Sequence, residues 1–154
     1  MSDVSGLSGE FVGMEHRMPI RVYWEDTDGG GVVYHARYLN FAERARTEVL
    51  RQLGVQQQKM LAETGVAFAL RRASIDFRAP ARLDDLLDVR TRATGLGAAI
   101  LEMQQEIWCH DRCLCVIEVQ LVCVNRSGRP VRLPQMVKGP IDRAISASSE
   151  TVSA

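Results

Sequence analysis

Lysine is scarce. Only Lys59 and Lys138 stand beside 17 arginines, and the 19 basic side chains are matched by 19 acidic ones. With zero formal net charge and a pI near 6.8, the chain has no basic excess for binding along a phosphate backbone, which excludes nucleic acid as a first reading. The cations present are nearly all guanidinium forks, suited to small anionic groups. No run approaches the ~20 consecutive apolar residues of a membrane span. The opening MSDVSGLSGEFVGMEHR has neither a basic start nor a continuous apolar stretch, so it does not read as a secretory signal, and a cytoplasmic protein is expected. The four cysteines, Cys109, Cys113, Cys115 and Cys123, include no CxxC pair. A zinc site or a thioredoxin-like motif is therefore not expected, and neither a metal nor a cofactor is called for. Cys113, Cys115 and Cys123 alternate with the pattern Ile117, Val119 and Leu121, as small buried hydrophobes of one strand face would.

What is present is ordinary globular material: 154 residues, 46% hydrophobic and 25% charged. A chain of this size buries roughly 68–70% of its unfolded surface, enough for one core. Residues 1–17 are rich in Ser and Gly without a period, and the end of the chain is small and polar. The expected organisation is a flexible N-terminal segment 1–17, one domain 18–138 and a flexible tail 139–154.

Within that domain IRVYW, residues 20–24, alternates as a strand and stops at the acidic, glycine-rich EDTDGGG. From His35 to Leu53 the period becomes helical, with Tyr38, Phe41, Ala42, Ala45, Val49 and Leu53 three and four apart, Arg44 and Glu48 at i,i+4 on the polar face, and Gly54 placed to end it. The short helical piece VQQQKMLAE follows and ends at Gly65. Thereafter the period is two: VAFALRRASIDFRAP, LLDVRTRATGL, AAILEMQQEIWCH and CLCVIEVQLVCVN read as four successive strands. Strand, long helix and four strands predict an α+β fold, an antiparallel sheet with the helix on one face.

Chemistry concentrates in WEDTDGGGVVYHARYLNFAERARTE. Glu25, Asp26 and Asp28 lie within four residues, beside three glycines that let a backbone approach a ligand. A solvated turn is the plain alternative. A calcium loop starting at Asp26 fails because its twelfth position is Arg37, and no GxxxxGK[ST] phosphate loop is present. What remains is a carboxylate next to a helix start whose first amides, around His35 and Ala36, lack intrahelical partners and can hold an oxyanion. That is an arrangement for acyl transfer or hydrolysis without a metal.

The segment RVYWEDTDGGGVVYHARYLNFAERARTEVLR, with the later RAPARLDDLL, resembles the bacterial Tol-Pal-associated acyl-CoA thioesterases, of the 4-hydroxybenzoyl-CoA thioesterase branch of the hotdog superfamily. The resemblance covers residues 20–137. It implies a hotdog fold, a curved antiparallel sheet wrapped around one long helix, assembled as a homodimer or homotetramer. It implies an acyl-CoA substrate, or an acyl carrier protein bearing the acyl group, hydrolysed to free acid and thiol. Asp28 matches the family's catalytic carboxylate, as general base or as nucleophile. His35 matches the residue whose backbone amide polarises the thioester carbonyl, a position held by Tyr in the benzoyl-specific branch. Gly31, Val33, Tyr34 and Tyr38 fall at the acyl pocket, and Arg78 and Arg82, with Arg71 or Arg72 as further candidates, at the CoA phosphates. Two other activities fit a hotdog chain: a 3-hydroxyacyl-thioester dehydratase with His35 as base and Glu43 or Glu48 as its partner, and a non-catalytic module that only holds acyl-CoA or acyl carrier protein.

Overall fold

The computed structural model describes residues 5–152, with side chains from residue 6 to residue 146. A short helix α1 (Ser5–Ser8) leads into β1 (Glu10–Val12) and β2 (Glu15–Arg21). After one 3-10 turn at Trp24–Asp26 come α2 (Arg37–Gln52) and α3 (Gln57–Thr64). The four strands read from the sequence follow: β3 (Ala67–Phe77), β4 (Leu86–Leu96), β5 (Ile100–Cys109) and β6 (Arg112–Val124). A last helix, α4 (Gln135–Val152), closes the described chain. All strand pairs are antiparallel, and the order across the sheet is β1-β2-β4-β5-β6-β3.

Alternation decides which face is dry. Leu87 and Val89 of β4, Leu101, Met103 and Ile107 of β5, and Cys115, Ile117, Val119, Leu121 and Cys123 of β6 are buried together, whereas Glu102 and Glu118 are exposed on the other face. Onto the dry face α2 lays Tyr38, Phe41, Ala42, Ala45, Val49 and Leu50. Burial pushes the Cys115 and Cys123 thiols up to about 12 and about 11, so both stay protonated and serve as packing. The far end of α2 closes in a double turn: the Gly54 N–H donates to the Arg51 carbonyl at 3.0 Å and the Val55 N–H to the Leu50 carbonyl at 2.8 Å. Gly54 makes this possible at φ +91°.

The chain ends differ from the sequence expectation. Residues 10–12 and 15–17, assigned to a flexible segment, pair with each other at the edge of the sheet. The tail set at 139–154 begins inside α4, where Val137 and Ile141 are buried and Ile145 packs beside them, a four-residue stripe that Gly139 and Pro140 conceal. Residues 1–4 and 153–154, also expected to fray, lie outside the described residues. The first strand lies at 15–21 rather than 20–24, because Tyr23–Asp26 is a closed turn: the Asp26 N–H donates to the Tyr23 carbonyl at 3.0 Å and the Tyr23 N–H to Asp26 Oδ2 at 2.8 Å. Glu48 pairs with Arg51 at 3.3 Å, not with Arg44. No described helix is long and apolar enough to cross a membrane.

Candidate active site

Between the 3-10 turn and α2 the chain forms a narrow loop. Thr27 bridges Val33, the Asp28 N–H donates to the Val32 carbonyl at 3.0 Å, and the Tyr34 N–H donates to the Asp26 carbonyl at 2.9 Å. At its tip Gly29 and Gly31 take φ values of +87° and +88°. An L side chain pays about 1–2 kcal/mol in that region, which is the local reason for glycine there.

The loop is sewn to the second motif segment. The Val33 N–H donates to the Ala81 carbonyl at 2.9 Å, the Leu83 N–H to the Gly31 carbonyl at 3.1 Å, and Val32 bridges Arg82. From α2 the Tyr38 hydroxyl accepts the buried Ala81 N–H at 2.9 Å. Tyr38 is itself buried, edge-on to Phe41 and Phe77, and burial raises its hydroxyl above the ordinary tyrosine value. DTDGGGVVYH and RAPAR, 48 positions apart at the Val33–Ala81 bond, thus form one structural unit with Tyr38 of α2.

Two acids in this loop have opposite surroundings. Asp26 is only 5% exposed, and its Oδ2 closes the turn through the Tyr23 N–H. Asp28 is exposed; its Oδ1 accepts the Gly30 N–H at 2.7 Å, and Oδ2 has no hydrogen-bond partner among the described residues. A Cβ at Gly30 would lie 3.2 Å from that bound oxygen, so the third glycine keeps room for the carboxylate.

The start of α2 is left open. Its N-cap, Ala36, has no side chain to cap with, and its first turn holds no acid. The N–H groups of His35 and Ala36 meet no acceptor among the described residues, whereas the Arg37 N–H turns back to the Tyr34 carbonyl at 2.8 Å. The positive end of a 16-residue helix is therefore free to face a developing anion. Asp28 stands opposite Val32, about 5 Å across the ladder, and the three residues from Val32 to His35 span at most ~10 Å more, so Asp28 lies within ~15 Å of His35. The His35 ring lies against Tyr34, centroids 4.4 Å apart, and both are exposed.

Of the two proposed phosphate contacts, Arg78 is paired with Asp76 at 3.2 Å, while the exposed Arg82 guanidinium has no partner among the described residues. Val33 is buried, so it shapes the loop from below. The sequence reading misses Arg46. It sits on the buried stripe of α2, 9% exposed, and donates to Gln105 Oε1 at 3.0 Å; Gln105 in turn donates to the Ala42 carbonyl at 2.8 Å and to Thr91 Oγ1 at 3.0 Å. A charge one turn from Ala42 and one from Leu50, inside an apolar stripe, is the signal that marks it. Arg46 also lines a cavity of about 200 Å³ with Glu43, Leu50, Phe68, Leu70 and Leu121, beside the edge strand β3. Among the described residues no His, Cys, Asp and Glu cluster is arranged to hold a metal ion.

A helix laid on a curved antiparallel sheet defines a hotdog protein. Residues 22–141 match the thioesterase-like superfamily, and the chain belongs to that family. Within it the chain is YbgC-like. It is 46% identical over 121 residues to the acyl-CoA thioesterase YbgC of Haemophilus influenzae, covering 78% of this chain and 89% of the relative. It is 37% identical over 131 residues to the YbgC acyl-CoA thioesterase of Helicobacter pylori strain 26695, covering 79% and 96%. A probable thioesterase from Bartonella henselae, known by crystal structure, superposes with a TM-score of 0.75 at 39% identity, over 78% of this chain and 99% of that one.

Proposed function

We propose that this chain hydrolyses acyl-CoA thioesters with Asp28 as its catalytic carboxylate and the His35 backbone amide as oxyanion donor. The observation that carries this is the uncapped start of α2 at the end of the same loop that holds a carboxylate with one oxygen unengaged among the described residues. The thioester carbonyl oxygen takes negative charge against the His35 N–H as its carbon becomes tetrahedral. In one route Asp28 removes a proton from water, the water oxygen bonds the carbonyl carbon, and the C–S bond breaks to release the thiol and the free acid. In the other, Asp28 attacks the carbon, expels the thiolate as a mixed anhydride and is regenerated by water. Single turnover in ¹⁸O-labelled water tests the second route, because label enters Asp28 only when water opens a mixed anhydride at the aspartyl carbon. Tyr34, Gly31 and Val33 shape the acyl approach, and Tyr38 holds the RAPAR segment against it. Arg82, without an ion-pair partner among the described residues, is better placed than Arg78 to meet a CoA phosphate.

The site is completed by a second copy in this reading. β3 is an 11-residue edge strand whose Leu70 and Phe77, pointing toward the dry side, are 50% and 48% exposed. An uncovered edge of that length invites pairing, and pairing β3 with its two-fold copy builds a dimer. The cavity at Arg46 then lies at the shared interface, where it can take the acyl end, and a tetramer follows if two dimers join. Light scattering of the purified chain measures this, and a fully active monomer would contradict it. The reading includes an acyl carrier protein as an alternative thioester carrier, the Tol-Pal context of the resembled family, and the cytoplasm, in keeping with four free cysteines.

The dehydratase alternative loses its second residue. Glu43 and Glu48 lie 8 and 13 positions beyond His35 along α2, about 12 and 20 Å of helical rise, and Glu48 is engaged by Arg51. The deciding assay is release of free thiol from an acyl-CoA series of increasing chain length. Turnover on some member of the series is expected, and no thiol from any would overturn the assignment.

A further inference from the structure

Residues 5–12 lie outside the stretch that matches the family, and they fold back over β2 and the far end of α2. Besides the pairing of β1 with β2, three side-chain hydrogen bonds hold this strap among the described residues. His16 Nε2 lies 2.7 Å from the Ser8 carbonyl, and Gln52 Nε2 donates to the Ser8 carbonyl at 3.2 Å and to the Gly9 carbonyl at 2.7 Å. The fit leaves no slack: a Cβ at Gly9, where φ is +68°, would collide with the Arg17 carbonyl and come within 2.9 Å of His16 Cε1.

His16 is the centre of the contact. It is fully buried, with the Phe11 ring edge-on at 5.2 Å. A carbonyl accepts only, so the bond to Ser8 assigns the proton to Nε2 and leaves a lone pair on Nδ1. Nδ1 is buried without a partner among the described residues. A second proton there would create a charged ring with one donor unmet, in a place water does not reach.

One neighbouring charge, the Glu48 carboxylate, favours the protonated ring, and its Oε2 is buried without a hydrogen bond among the described residues. From α2, Glu48 faces the ring, but Arg51 lies 3.3 Å from the Glu48 carboxylate. From β4 the residue opposite His16 is Thr91, and from β1 it is Phe11, neither ionisable. On β2 itself Glu15 and Arg17 pair with each other at 3.1 Å, and Glu10 of β1 stands opposite Arg17. Burial therefore outweighs the Ser8 bond and Glu48, and holds the imidazole below its ordinary value.

We propose that His16 is an acid-released latch: the neutral ring pins residues 5–12, and its protonation frees them and uncovers the edge of β2. The sign follows from linkage. The pinned ring binds a proton less readily than the free one, so the latch is at full strength above the ordinary imidazole range near ~6.5 and weakens as pH falls below it. Each pH unit between the pinned and free values weakens it ten-fold. Release removes β1 from Glu15–Arg17, and β2 becomes a bare edge.

Hydrogen exchange of the amides of residues 5–12 in the full chain, followed from pH 8 to pH 5 and corrected for intrinsic rates, reads the latch directly. Protection above pH 7 that disappears toward pH 5 is expected, while His16→Gln, which keeps a donor but cannot titrate, abolishes the pH step. Titration of the His16 ring by NMR in the parent chain needs no variant and should place it below the ordinary value. Equal protection at pH 8 and pH 5, an undiminished pH step in His16→Gln, or a ring titrating at or above ~6.5 would each overturn the latch.

Discussion

The two ends of α2 are built to opposite specifications. At Leu53–Val55 the last carbonyls are closed by the Gly54 and Val55 amides, Gln52 reaches out to the strap, and Leu50 and Val55 are buried. At Tyr34–Arg37 there is no side-chain cap, no acid in the first turn and, among the described residues, no acceptor for the His35 and Ala36 amides. Orphan backbone groups at a helix end are usually satisfied. In the proposed reading the satisfied end carries stability and the open end carries chemistry. The same division separates Asp26, buried and closing a turn, from Asp28, exposed with a free oxygen two residues on.

The largest effect is expected at the open end. Asp28→Asn should lower kcat/KM for acyl-CoA hydrolysis by at least ~10²-fold, the lower bound for a positioned base, while the urea midpoint stays near that of the parent. Next comes the stitch between loop and RAPAR. Tyr38→Phe removes the acceptor of the buried Ala81 N–H and should cost about 1–3 kcal/mol in urea unfolding. At the closed end, Gly54→Ala has open space for its methyl but the wrong φ, so about 1–2 kcal/mol of stability should be lost with activity per folded molecule unchanged. The smallest effect is at the rim: Arg82→Ala should raise KM a few-fold without moving kcat, and added salt should erase the difference, since an exposed guanidinium meets phosphate in screened solvent.

Much of this comparison is legible in the sequence. The four strands after α3 and the stripe on α2 are read directly because each buries one face and shows its period. Gly54 is legible as a helix stop for the same reason: only a residue at ease with positive φ ends a helix that way. The strap is legible at most at its β1–β2 hairpin around Gly13, because the segment before it is held by His16 and Gln52, side chains 8 and 43 or more positions away from the carbonyls they grip. Helix α4 is hidden by Gly139 and Pro140, which read as breakers although Val137 and Ile141 carry the packing. Arg46 is hidden by its charge, which reads as solvated surface until Gln105 is seen to meet it. In the loop, the acids and glycines are legible as a cluster, but which acid is buried depends on the 3-10 turn, which spacing alone does not reveal.

The central claim, that the exposed acid at the open helix end does the chemistry and the buried one holds the loop, is tested most directly by comparing Asp28→Asn with Asp26→Asn in one thiol-release assay and one urea titration. The account predicts that Asp28→Asn loses turnover and keeps its midpoint, while Asp26→Asn keeps most of its turnover per folded molecule and loses stability. The reverse ranking, with Asp26 indispensable for turnover and Asp28 dispensable, would contradict it.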